Sequence, residues 1–222
     1  MLGLFTKRSS RQCPVTTFSH NWLENKFPFL LQRFGEEEIR NKKILVPNFT
    51  DFPVRFDGSD TSAWDTLQIL APRMGVSSTS IALDIYSEKD IPKKEVDGKY
   101  HIGMEKKMLA DPQGLVAWLA HDLARIRLIE HPAPETGKRL ADLCTVILGL
   151  GIFNANVSYR ETQTATAWGY QRIGYLKPCE WGYALALLAR LRNEKDPAWT
   201  KHLTHNIRSD FSKSQTYLEV YD

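Results

Sequence analysis

The chain has 222 residues, of which 42% are hydrophobic and 25% charged, and its formal net charge is +3. This composition predicts a packed globular core and excludes a largely disordered chain, and so small a positive charge does not on its own indicate a nucleic-acid-binding protein. No stretch of the sequence approaches the roughly 18 consecutive apolar residues of a membrane helix. The three cysteines, Cys13, Cys144 and Cys179, form no CxxC pair, which favours reduced thiols and a cytoplasmic protein.

The chain is expected to begin with little regular structure. Residues 1–17 contain three basic side chains and are interpreted as a flexible basic leader. A helix is predicted over 21–34 with a break at Phe27-Pro28, because proline removes a helical hydrogen bond. The stretch ILVPNFTDFPVRFDG at 44–58 holds two prolines and ends in Asp-Gly, which indicates extended chain and turns.

One helix and two strands are predicted next. Ser59 or Asp60 can cap a helix that runs to about Met74. SIALDIYSE at 80–88 alternates apolar and polar residues, as a half-buried strand does. VDGKYHIGME at 96–105 carries an Asp-Gly turn and then a second short strand.

The remaining chain is predicted to be mostly helical. Asp111-Pro112 is the start signal of a helix that runs to about Glu130, since aspartate can cap the helix and proline suits its first position. Further helices are expected over 136–157 and 179–193, and a final one from Asp196-Pro197. The fold class is therefore α+β, with a short N-terminal sheet and helices followed by a mostly helical C-terminal half.

This length suits a single medium-sized domain. We assign residues 1–17 to the leader and 18–222 to one domain. Within that domain the strands are expected mainly in 44–105, and the helical part in 111–222.

The predicted helix that ends near Glu130 contains HDLAR, which departs from the H-E-x-x-H motif of zinc hydrolases. In that motif two histidines four residues apart bind the metal, and the glutamate acts as general base. His121 occupies the first ligand position, Asp122 the glutamate position and Arg125 the second ligand position. Helical periodicity puts these three side chains on the flank of a buried apolar stripe. That stripe consists of Leu115, Leu119, Leu123 and Ile126.

Three longer stretches carry a family resemblance. GKYHIGMEKKMLADPQGLVAWLAHDLAR resembles the edge strand, short connection and active-site helix of gluzincin metallopeptidases. Together with DLCTVILGLGIFNAN and GYLKPCEWGYALAL, it is similar to a group of uncharacterised bacterial proteins with a zincin-like core. The resemblance covers roughly residues 44–205 and implies a zincin-like domain.

The resemblance implies a role for each position of a helix pair. His121 would be the first zinc ligand, and Asp122 would stand where the catalytic glutamate does, one methylene shorter. Arg125 would stand at the second ligand position. In the next helix, KRLAD places Lys138 at the position of a third ligand, a glutamate. Asp142 takes the position of an aspartate that hydrogen-bonds the first histidine.

These substitutions predict that no metal or other cofactor is bound. A charged Arg125 or Lys138 cannot offer a lone pair to zinc, and each cation is repelled by a divalent ion. We expect instead that these two residues form ion pairs with Asp122 and Asp142 in the space of the former metal site. Zinc held by His121 with other, unusual ligands is the alternative.

The histidines allow other interpretations. His121 and His131 have the outer spacing of HExxHxxGxxH, but Leu128 stands where that motif needs glycine. His202 and His205 are three residues apart on a predicted helix, where one turn could present both to a metal; exposed polar positions explain them more simply. His121 itself can be a histidine packed between two helices and hydrogen-bonded to a carboxylate.

Aromatic and basic residues are interleaved in the C-terminal half. Such a pattern can stack on and clamp single-stranded nucleic acid, but it is more typical of the core and interfaces of helical hairpins. The aromatic residues are Trp168, Tyr170, Tyr175, Trp181 and Tyr183, and the basic ones are Arg172, Lys177 and Arg190.

The expected function is that of a zincin-like pseudoenzyme, without catalytic activity, that acts as a binding or regulatory partner of another protein. The first alternative is an active zinc-dependent hydrolase or peptidase with an altered HDxxR site, in which Asp122 acts as the base. The second alternative is a nucleic-acid-binding accessory protein, which the sequence favours less. We expect no membrane partner, and the sequence does not determine the oligomeric state.

Overall fold

A computed structural model describes residues 12–87, 98–130, 137–163, 168–171 and 173–220. The fold is α+β, as predicted, and mostly helical in its C-terminal half. The helices described are α1 (Thr17–Phe34), α2 (Glu36–Asn41), α3 (Asp60–Arg73), α4 (Pro112–Glu130), α5 (Lys138–Ile147), α6 (Gly151–Val157), α7 (Pro178–Leu191) and α8 (His205–Leu218). The strands are β1 (Ile81–Tyr86), β2 (Tyr100–Glu105), β3 (Arg160–Gln163) and β4 (Trp168–Gln171). Among these helices, none combines the length and the apolar character needed to cross a bilayer.

The two predicted strands are confirmed as β1 and β2, and they pair in parallel. Ile81 lies opposite Tyr100, and Ile85 opposite Met104. Ile81, Ile102 and Met104 are buried, so one face of this small sheet packs on the core. A second pairing, between β3 and β4, is antiparallel and was not predicted.

The predicted site lies on α4, which occupies the span expected from its start signal. All four residues of the predicted apolar stripe are buried, which confirms the orientation of the helix. On the flank, the indole N–H of Trp118 donates to the carbonyl oxygen of Gly103 at 3.0 Å. This hydrogen bond fixes the flank of α4 beside β2.

The single helix predicted over 136–157 is wrong, because the chain turns at Gly149 and forms α5 and α6 instead. Gly149 has a φ of 83°, which glycine adopts without strain. A Cβ at this position would lie 2.5 Å from the carbonyl oxygen of Lys43, and the Leu45 amide donates to the Gly149 carbonyl at 2.8 Å. The turn therefore depends on close contact with a segment far earlier in the chain.

The first helix starts earlier than predicted and does not break. α1 begins at Thr17, and Oγ1 of the preceding Thr16 accepts a hydrogen bond from the Ser19 amide at 3.2 Å. Pro28 lies inside the helix with its ring exposed, and the helix continues through it. Of the predicted leader, residues 1–11 lie outside the described residues.

Of two other predicted helix starts, one is confirmed and one is wrong. Ser59 caps α3 as predicted, with its Oγ accepting from the Ser62 amide at 3.2 Å. Asp196-Pro197, in contrast, precedes a short 3-10 turn over Ala198–His202, and the last helix, α8, begins only at His205.

Candidate functional site

A hydrogen bond joins the histidine of α4 to the aspartate of α5. Nδ1 of His121 lies 2.7 Å from Oδ1 of Asp142, whose side chain is completely buried. Because a carboxylate accepts, Nδ1 carries a proton, so the lone pair of the uncharged form of the ring would lie on Nε2. The hydrogen bond that the resemblance implied between these two residues is confirmed.

The second oxygen of Asp142 is held by backbone amides from the segment before α7. Its Oδ2 accepts hydrogen bonds from the Tyr175 amide at 2.6 Å and from the Leu176 amide at 2.9 Å. Gly174, with a φ of 90°, forms the turn that brings these amides to the carboxylate. Three donors thus fix the carboxylate, and the carboxylate fixes the plane of the imidazole.

Arg125 turns towards an aspartate on its own helix. Its Nη1 donates to Oδ1 of Asp122 at 3.0 Å, and the guanidinium is exposed. A contact between these two residues was expected, but as part of a group of ion pairs that fills the former metal site. The Arg125 side chain is instead 52% exposed, so the pair contributes at most about 1 kcal/mol to stability. With His101 and Ile102 of β2, the pair lines a cavity of about 290 Å³ between α4 and the strand.

Lys138 does not form the expected ion pair with Asp142, and this is a correction to the predicted arrangement. Its Nζ instead lies 5.1 Å from the centre of the Tyr175 ring. The same ring stacks on His121, with centroids 5.5 Å apart and planes inclined by 29°. Bringing an ammonium group into the buried surroundings of Asp142 would strip its hydration. Over the exposed tyrosine it stays hydrated and gains a cation–π contact.

The sequence patterns did not identify a second aspartate–histidine pair, which lies on the sheet. Nδ1 of His101 is 2.7 Å from Oδ2 of Asp84. His101 is opposite Ala82 in the register, so Asp84, two residues further along β1, projects from the same face. Strand alternation was the available signal, but it does not give the parallel register that makes the two residues neighbours.

A buried carboxylate that was also missed joins α1, α5 and α7. Glu180 accepts hydrogen bonds from the Ser19 hydroxyl and from Nη2 of Arg139, the latter at 3.1 Å. Its other oxygen accepts from the Lys177 amide at 2.8 Å and so caps α7. The capping position could have been found from sequence, but the partners on α1 and α5 could not.

The residues at the ligand positions that the resemblance implies do not fit a zinc ion. His121 offers one nitrogen, Arg125 offers no lone pair, and both oxygens of Asp142 already accept hydrogen bonds. Within the described ranges, no group of three His, Cys, Asp or Glu side chains is placed to hold a metal.

The alternative histidine sites have different outcomes. His202 ends the 3-10 turn and His205 begins α8, so the two are not on one helix, and that prediction is wrong. His131 lies outside the described residues.

The C-terminal aromatic residues do not form one surface. Trp181 and Tyr183 are buried in the core, whereas Tyr175 is 40% exposed. The side chains of Trp168, Tyr170 and Arg172 lie outside the described part of the structure. Of the described aromatic side chains in this set, Tyr175 is therefore the one that can meet a ligand.

Comparison of the chain with protein-family models, with curated proteins and with solved structures finds no match in any of the three. The function is therefore inferred from the geometry of the chain's own residues.

Proposed function

We propose that this chain is a zincin-like protein without metal-dependent catalysis, which acts as a binding or regulatory partner through its surface. The observation that carries the proposal is the ion pair between Arg125 and Asp122. It joins the residue at the second ligand position to the residue at the position of the general base. The residue at the second ligand position is thus a cation, which cannot bind zinc, and the residue at the position of the general base is paired with that cation.

Electrostatics supports the proposal. A single positive charge about 6 Å from a divalent ion costs on the order of 5 kcal/mol at an effective dielectric of about 20. Arg125 and Lys138 would each repel a zinc ion bound to His121 by about this free energy. A lone histidine cannot compensate for this, because structural zinc gains its roughly 10–16 kcal/mol from a complete ligand set.

One observation favours the alternative of a zinc-dependent hydrolase with an altered site. His121 is oriented by a buried carboxylate, as metal-ligating histidines commonly are. The same arrangement also stabilises a histidine that packs between two helices, so it does not by itself imply a ligand.

The direct test is the metal content of the purified protein after dialysis, together with zinc titration calorimetry. We expect no stoichiometric zinc in the wild-type protein and no zinc-dependent hydrolysis of casein. Zinc at one equivalent per chain that is lost in His121→Ala would overturn the proposal in favour of the hydrolase.

A second experiment tests the zincin-like scaffold separately. The triple variant Asp122→Glu, Arg125→His and Lys138→Glu restores the side chains of the zincin motif, and we expect it to bind zinc. The matched control adds His121→Ala to the triple variant and should lose that affinity. A triple variant that is folded by circular dichroism but does not bind zinc would contradict the resemblance.

A further inference from the structure

Aromatic rings and cations alternate along one surface, where the first turns of α1 and α5 meet the segment before α7. We call this surface the basic–aromatic track. Its members are His121, Tyr175, Lys138, Arg139, Trp22 and Phe18.

Contacts connect the members of the track in order. At one end the Tyr175 ring lies between His121 and Lys138, as described above. At the other end, Cζ of Arg139 lies 4.3 Å from the centre of the Trp22 ring and 5.8 Å from that of Phe18. Lys138 and Arg139 are the first two residues of α5, so both ends of the track lie at the start of that helix.

The positive charges of the track are nearer to solvent than the negative ones. Two carboxylates of the described residues hydrogen-bond to track residues: Asp142 to His121 and Glu180 to Arg139. Both are buried. Arg139 is half-buried against Glu180, whereas Lys138 is exposed and pairs with no carboxylate of the described residues. The surface therefore presents cations to a ligand, while the compensating negative charge lies beneath it.

Rings at both ends of the track are accessible. Phe18 is 72% exposed and Tyr175 is 40% exposed. A flat face beside a fixed cation is the arrangement on which nucleic-acid bases stack while their phosphates pair with the neighbouring charge.

We propose that the basic–aromatic track binds single-stranded nucleic acid. A base stacks on the exposed ring of Phe18, and phosphates pair with Lys138 and Arg139. This inference rests on the proposed function, since it names the class of partner that a non-catalytic binding protein of this shape would take.

A membrane surface is a less suitable partner. Interfacial helices need a broad apolar face that can be buried among lipid chains. Here the rings are separated by charges, and the guanidinium of Arg139 covers Trp22. The track offers isolated rings for stacking rather than a continuous apolar face for insertion.

The test is fluorescence anisotropy of the full chain with labelled twelve-nucleotide oligothymidine and oligouridine, titrated from low to high salt. Binding should weaken as salt rises, with a slope of log K against log salt of about −0.7 per phosphate contacted. Lys138→Ala should make that slope less negative by about 0.7. Phe18→Ala should weaken binding about 5- to 100-fold through loss of stacking.

Two matched controls lie away from the track. Phe49 is a 76% exposed phenylalanine beside α4, and the Lys213 side chain is 65% exposed on α8. Phe49→Ala and Lys213→Ala should leave binding unchanged. Circular dichroism should show the same fold in all four variants, because each removes a side chain that is exposed.

Several outcomes would overturn the proposal. These are no binding to either oligonucleotide at 20 mM salt in the assay, about equal losses in the track and control variants, or competition by polyglutamate as effective as that by oligothymidine. Binding to phosphatidylserine vesicles without binding to oligonucleotides would assign the surface to a membrane instead. Zinc analysis of the same preparation separates the two proposals. If the protein holds zinc and also binds oligonucleotides, only the proposed function is contradicted. If the protein holds no zinc and does not bind oligonucleotides, only this inference is contradicted.

Discussion

The imidazole of His121 is tied to the carboxylate of Asp142 across two consecutive helices, with 2.7 Å between Nδ1 and Oδ1. Asp142→Ala should lower the free energy of unfolding by about 3–5 kcal/mol, because it leaves three donors without their buried acceptor. Asp142→Asn keeps one acceptor oxygen and should cost less. Urea unfolding measures both changes, and the nitrogen chemical shifts of His121 report loss of the Nδ1–H tautomer.

The second aspartate–histidine pair provides the control for this prediction. Asp84 is partly exposed, so Asp84→Asn should cost less than about 1 kcal/mol. Equal losses from Asp84→Asn and Asp142→Ala, or unchanged His121 shifts in Asp142→Ala, would contradict the structural role assigned to Asp142.

Asp51 should stabilise the protein in a pH-dependent way. Burial raises the pKa of this carboxyl, but hydrogen bonds from the Lys43 ammonium and the Val46 amide outweigh it. With the positive charges of Lys43 and Arg73, they hold the pKa below its ordinary value of 3.8. A lowered folded-state pKa stabilises the fold above the unfolded-state pKa, and this contribution is lost as the pH falls through the folded-state value.

Asp51→Asn tests this dependence by urea unfolding at a series of pH values. Relative to the wild type it should be less stable by about 2–3 kcal/mol near pH 6, since Asp51 is buried and its hydrogen bonds are charge-assisted. The difference should shrink as the pH falls below about 4. A difference that stays constant from neutral to acidic pH would show that the charge of Asp51 does not stabilise the fold.

The three thiols should differ sharply in reactivity. Cys144 is fully buried, and burial raises its pKa to about 12. Burial also raises the pKa of Cys179. The side chains of Cys179 and Cys13 are only partly buried. Mass spectrometry after iodoacetamide treatment of the native protein at neutral pH should therefore find Cys144 unmodified, because the thiolate is the reactive form. Alkylation of Cys144 at the rate of Cys13 without denaturant would be inconsistent with this packing.

Gly149→Ala should be strongly destabilising. It places a side chain at a φ of 83° and a Cβ 2.5 Å from the Lys43 carbonyl oxygen. We expect the free energy of unfolding to fall by more than about 2 kcal/mol, because the backbone is strained and the segment at Lys43 is displaced. Gly137→Ala is the matched control, because a Cβ there meets nothing within 4 Å; as a helix cap it should cost no more than about 1 kcal/mol. A melting temperature of Gly149→Ala equal to that of the control would refute this account of the turn.

Helix α4 could be predicted because the information for it is local. Its start signal is the Asp111-Pro112 pair, and its apolar residues recur at the spacing of one helix face. Both features act between residues at most one or two turns apart. They therefore gave the bounds of the helix and the flank on which His121 lies.

The turn at Gly149 and the full surroundings of Asp142 could not be predicted in the same way. A glycine inside a helical pattern costs only about 1 kcal/mol, and what turns the chain is its contact with Lys43 and Leu45. Asp142 accepts from the Tyr175 amide, 33 residues later in a segment without regular structure. Such contacts depend on the packing of the whole domain.

The hydroxyl of Ser19 on the first helix meets its carboxylate partner, Glu180, 161 residues later in the chain. A ribosome that adds about 5 to 20 residues per second needs roughly 8 to 32 s to synthesise that length. During this time the apolar side of α1 has no α7 to cover it and is accessible to chaperones. Folding of the nascent chain is therefore expected to finish late, when the last helices have emerged.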